Sequence, residues 1–142
     1  MGDRLIFIDA SAIVAILNCE PGYEALIWRI EKDKKKRYVS PLVRFEAVAA
    51  LARSRSGSLR PTSKQLRQAE EIINDFCDRV EAQDISITPQ IGQLAMQVAC
   101  RYGKFVGHAA DLNFGNCFTY ACASAKNVGI IYKGGMIFPR KI

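Results

Sequence analysis

The segment RLIFIDA, Arg4 to Ala10, constrains the fold more than any other stretch of this chain. It is a continuous apolar run ending in an acid, which suits a central parallel strand covered on both faces. A carboxylate closing such a strand falls at the edge of the sheet, where open parallel sheets bind their ligands. Asp9 is therefore the first candidate functional residue.

Beyond this strand the chain alternates helix and strand. SAIVAILNCEPGYEALIWRIEKDKKKR reads as a short apolar helix, a break at Pro21-Gly22, and an amphipathic helix with Leu26, Ile27 and Ile30 inward. DKKKR marks the solvated, dipole-compatible C-terminus of that helix. YVS is a second short strand, after which Ser40 caps and Pro41 opens a helix that carries Glu46 in its second turn. SGSLRPTS is a loop, and the helix from Ser63 forms a hairpin with its predecessor. DISITP alternates like a strand, Thr88-Pro89 repeats the cap-then-proline device, and Gly103 closes the helix so begun. KFVGHAADL is a loop, Asn113 caps the small-residue helix FGNCFTYACASAKN, and VGIIYK is the last strand. This order predicts an α/β fold around a parallel sheet. A chain of 142 residues, 49% hydrophobic and without repeats, is read as one domain over residues 1–142.

Lys and Arg number 20 against 14 Asp and Glu, a net charge of +6 that favours an anionic partner such as RNA, DNA or an acidic protein segment. A solvated basic surface explains the same number. Cys19, Cys77, Cys100, Cys117 and Cys122 lack CxxC spacing and sit mostly in apolar runs, so they read as buried thiols of a reducing compartment. Asp3, Arg4, Asp9 and Glu20 interrupt the apolar N-terminal stretch, which speaks against a membrane span or signal peptide and predicts a cytoplasmic protein.

Two carboxylates carry the chemical argument. Asp9, standing before an apolar helix, is equally an ordinary N-cap. Glu46 lies among Phe45, Ala47, Val48, Ala49, Ala50 and Leu51, a helix apolar nearly all round, so a buried charge there requires a partner. An internal arginine (Arg44, Arg53 or Arg79) would serve, and so would a cation shared with Asp9. Magnesium and manganese take oxygen ligands, and magnesium retains several waters while binding only one or two carboxylates.

IDASAIVAIL, SPLVRFEAVAAL, YGKFVGHAADLNFGNCFTYACA and IIYKGG, in this order over nearly the whole chain, resemble the PIN-domain family and, within it, the VapC-like toxins of bacterial toxin–antitoxin pairs. The resemblance implies a three-layer α/β/α sandwich with a central parallel sheet. It also implies a negatively charged pocket that binds Mg2+ or Mn2+, endoribonuclease activity on tRNA or other structured RNA, inhibition by a cognate VapB-like antitoxin, and a homodimer. It places the first family acid on Asp9, the hydroxyl that supports it on Ser11, and the helix acid on Glu46. The third acid position, after NFG, holds Asn116, and Gly135 and Met136 stand where the family carries one or two acids after KG. On this reading Asp9 and Glu46 hold the metal, Ser11 orients Asp9, and the amide oxygen of Asn116 completes the shell. Losing two carboxylates predicts weaker cation affinity and reduced cleavage. The alternative is a degenerate PIN domain that binds RNA or antitoxin without cutting.

Other residues have less specific readings. Asp111 reads as a turn residue and His108, the single histidine, as structural rather than a general acid. Arg101, Tyr102, Lys104 and Phe105 suit single-stranded RNA or a basic helix end equally. Arg53, Arg55, Arg60, Lys64 and Arg67 cluster about the helix hairpin as a solvated face or as partner contacts. Trp28 reads as packing or as lining of an antitoxin groove.

Overall fold

In the computed structural model, which describes residues 5–32 and 36–139, the apolar run condenses into β1 (Ile6–Ile8), buried along its whole length. Asp9 caps α1 (Ala10–Leu17), and α2 (Tyr23–Lys32) follows the Pro21-Gly22 break. β2 (Arg37–Val39) leads into α3 (Pro41–Ser56) and α4 (Ser63–Arg79), and β3 (Ala82–Asp84) into α5 (Pro89–Tyr102). A 3-10 turn (Lys104–Val106) precedes α6 (Phe114–Lys126), β4 (Gly129–Tyr132) and β5 (Gly135–Ile137).

Capping chemistry sets several helix starts. Ser40, Thr62, Thr88 and Asn113 each accept the backbone N–H three residues on, a contact worth about 1 kcal/mol at each start.

The strands order as β3-β2-β1-β4-β5. β1 pairs in parallel with β2 and β4, with Phe7 opposite both Tyr38 and Ile130, and β2 pairs in parallel with β3. The chain thus winds outward from β1 to β3 and returns to the other side of β1 for β4. The switch point lies between β1 and β4, where strand-end loops diverge and leave a crevice. Phe7, Ile8, Ile13, Val39, Leu51 and Ile131 form the fully buried centre.

Four expectations change. β5, antiparallel to β4, closes a hairpin at the sheet edge that the Gly-rich segment KGGMIF did not announce. The third strand lies at Ala82–Asp84 rather than 84–89, because of that segment only Asp84, opposite Val39, and Ile85, donating its N–H to Val39 O at 2.8 Å, reach the ladder. Arg37 belongs to β2 and is buried, its guanidinium donating to Ile30 O at 2.8 Å and Val80 O at 3.1 Å, so it is no solvated helix end; residues 33–35 of DKKKR lie outside the described residues. Cys77, Cys117 and Cys122 are buried, but Cys19, in a left-handed turn at φ 50°, and Cys100 are exposed.

Among the described residues, no helix is long and apolar enough to cross a membrane.

Candidate active site

Asp9 ends β1 and points into the crevice. Its Oδ2 accepts the N–H of Ser11 at 3.0 Å and the hydroxyl of Ser11 at 2.6 Å, and its Oδ1 accepts the hydroxyl of Thr119 at 2.8 Å. The carboxylate therefore caps α1 and lines the cleft at once, fixed from both sides. The Ser11 hydroxyl in turn accepts the backbone N–H of Lys133, tying the end of β1 to the end of β4 across the switch point at 3.1 Å.

Glu46 reaches the same cleft from α3. That helix is not buried all round despite its apolar sequence: Val43, Ala47 and Leu51 are buried, whereas Phe45 is 73% exposed. The arginines considered as partners of Glu46 lie elsewhere or stand apart. Arg44 makes a bidentate pair with Asp84 and also donates to Asn74, each contact at 2.9 Å, and Arg79 pairs with Asp75 at 3.0 Å. Arg53 lines the cleft without an ion pair among the described residues. Burial, then the negative charge of Asp9, raise the pKa of Glu46 above the ordinary carboxylate range. A half-buried carboxylate that faces a second one across a cleft is an arrangement that a cation relieves.

Gly115, at the start of α6, explains how the two helices come so close. A Cβ at this position would overlap the Glu46 carboxylate. Asn116 follows it in a reciprocal cap: its N–H donates to Asn113 Oδ1 at 2.9 Å, and its Oδ1 accepts the Asn113 N–H at 3.2 Å.

The cleft, about 470 Å³, is lined by Asp9, Ser11, Glu46 and Asn116 together, and also by Glu20 and Lys133. Asp111 is not among its lining residues and occupies a left-handed turn at φ 54°. His108 accepts the Ala110 N–H through Nδ1 at 3.0 Å and packs edge-on against Tyr102, a structural placement. Trp28 is 59% exposed with the Lys32 ammonium over its ring, so it is not core packing.

Sequence reading missed Thr119, Gly115 and the Glu20–Lys133 ion pair. Thr119 lies three residues after Asn116, one helical turn along α6, a spacing that put it on the same face. The Glu20–Lys133 pair joins a turn after α1 to the β4–β5 turn, and no local pattern announces it.

A strand-end carboxylate at a switch point, an opposing helix carboxylate and an α6 N-terminus closing over them define a recognisable class. The chain belongs to the PIN-domain family, which it matches over residues 6–140. It is 44% identical over 131 residues to VapC ribonuclease R02377 of Rhizobium meliloti (strain 1021), with 90% of this chain and 92% of that protein covered. It is 29% identical to ribonuclease VapC42 of Mycobacterium tuberculosis (strain ATCC 25618 / H37Rv), covering 91% and 90%. The fold also matches the crystal structure of VapBC2 from Rickettsia felis bound to a DNA fragment from their promoter, with a TM-score of 0.59 and 13% identity over 89% of this chain and 84% of that one.

Proposed function

We propose that this chain is a VapC-like toxin, an endoribonuclease whose Asp9 and Glu46 share a divalent cation. The observation that carries the reading is the pair itself. Glu46 faces Asp9 across the cleft with its pKa raised and no basic partner among the described residues. The donor set fits a hard cation, because its atoms are oxygens: two carboxylates and the amide of Asn116. No histidine or cysteine is among the described residues that line the cleft, so Mg2+ or Mn2+ retaining several waters suits the site better than zinc.

When bound, the cation supplies Lewis acidity that activates water and neutralises charge on the leaving oxygen of a phosphodiester. The protein residues do the positioning. Ser11 and Thr119 hold both oxygens of Asp9, Gly115 lets Glu46 approach α6, and Asn116 contributes an oxygen whose second lone pair remains available beside its cap bond. The same reading assigns RNA, tRNA or another structured RNA, as substrate. It also assigns a VapB-like antitoxin as inhibitor, a homodimeric state, and a cytoplasmic protein consisting of one domain over residues 1–142.

A second reading, a PIN domain that binds without cutting, is favoured by two features. The Asn116 oxygen is already engaged by the cap, and Gly135 and Met136 offer no carboxylate. Cleavage of tRNA with Mg2+ or Mn2+ separates the two. The unchanged chain should cut more slowly than Asn116→Asp, and adding Glu46→Gln to that variant should abolish cleavage. RNA or antitoxin binding without cleavage in both the unchanged chain and Asn116→Asp selects the binding module.

A further inference from the structure

We propose that a single-stranded stretch of RNA leaves the carboxylate cleft across the ring of Phe45, which stacks on one base, and enters the groove between α3 and α4, where Arg67 holds its phosphate. The proposal rests on the ribonuclease reading and adds a path for the strand. Phe45 directly precedes Glu46 in α3, yet its ring is 73% exposed and takes no part in the buried core. A second depression of about 580 Å³ runs between α3 and α4, lined by Phe45, Val48, Ala49, Leu66 and Arg67 among others. Phe45 and Ala49 line this groove and the carboxylate cleft alike, so the two adjoin and the exposed aromatic ring stands on the ridge between them.

The groove carries one carboxylate, Glu70, beside Arg44 and Arg67, and the charge next to the Phe45 ring favours a nucleic acid strand over a peptide. Arg53 lies on the cleft side of the ridge and Arg67 on the groove side, and neither has an ion pair among the described residues. Arg44, in the same groove, is already committed to Asp84 and Asn74. An exposed ring flanked by two available guanidinium groups offers a base a stacking face and its neighbouring phosphates a counter-charge. The contrast with Phe105 is informative. That ring is 74% exposed but opens on an apolar hollow between α5 and α6 that no charged side chain lines.

The test measures binding by the full chain, in chelator so that nothing is cut, of a single-stranded oligoribonucleotide carrying the fluorescent base 2-aminopurine. Phe45→Ala should weaken binding about tenfold and lose the stacking quench, and Phe45→Trp should restore both. Arg67→Gln should reduce the log–log salt slope by about 0.7, the share of one single-strand phosphate. Phe105→Ala should change nothing. Equal affinity for Phe45→Ala and the unchanged chain overturns the proposal, as does an equal loss with Phe105→Ala. If Phe45→Ala binds RNA normally but no longer copurifies with a co-expressed VapB-like antitoxin, the groove serves a protein and the proposal also fails. Absence of RNA binding by the unchanged chain removes the ribonuclease reading as well, whereas normal cleavage with an undiminished Phe45→Ala removes only the subsite.

Discussion

The hydroxyl of Thr119 donates to Asp9 Oδ1 at 2.8 Å, joining the end of the first strand to the last helix across 110 residues of chain. Asp9 is only 6% exposed, so this donor and the two from Ser11 replace the water its carboxylate gives up. Thr119→Val keeps the shape and removes the donor. It should cost about 1.5–3 kcal/mol, the usual range for a hydrogen bond to a charged group. Urea unfolding of the two proteins measures it, and an unchanged midpoint would show that Thr119 does not support Asp9.

Gly115→Ala should destabilise the chain, because the new methyl meets the Glu46 carboxylate and one of the two helices must move. The same change in a Glu46→Ala background should cost much less. A double-mutant cycle by chemical denaturation should therefore give a coupling of about 1 kcal/mol or more. Additive effects would mean that the clash is relieved some other way.

Burial and the Asp9 charge raise the pKa of Glu46, so the folded protein holds this proton more tightly than the unfolded chain. That contribution to stability is complete below the unfolded glutamate value, about 4.3, and is lost as pH rises through the higher folded value. Denaturation in chelator between pH 4 and pH 8 should show a fall over that window for the unchanged chain and a smaller one for Glu46→Gln. Cation affinity should rise over the same window, since binding requires the ionised carboxylate.

Thiol accessibility gives an independent check of the fold. Burial pushes the Cys122 thiol up to about 11 and raises Cys77 and Cys117 as well, whereas Cys19 and Cys100 are exposed. Iodoacetamide at neutral pH should label Cys19 and Cys100 in the native protein and the other three only after unfolding. Native labelling of Cys122, read by peptide mass spectrometry, would contradict its placement in α6.

Much of this arrangement was legible in the sequence because it is written locally. The four-residue apolar core of RLIFIDA placed β1, and the cap-then-proline pairs at Ser40-Pro41 and Thr88-Pro89 placed the starts of α3 and α5. Asp9, Ser11, Glu46 and Asn116 do line one cleft. What escaped was tertiary. Arg37 sits in a basic run yet is buried, because two helix-end carbonyls, of Ile30 and of Val80, the latter 43 residues away, accept its protons. Thr119 and Gly115 act only through residues far away in the chain, and β5 pairs by register with β4 rather than by any pattern of its own.

The claim that Asp9 and Glu46 share one divalent cation is tested most directly by calorimetric titration of Mn2+ into the unchanged chain and into Glu46→Gln near neutral pH, with folding of both confirmed by circular dichroism. A single site per chain is expected in the first protein, with proton release on binding, and loss of that site in the second. Equal binding by the two proteins would contradict it.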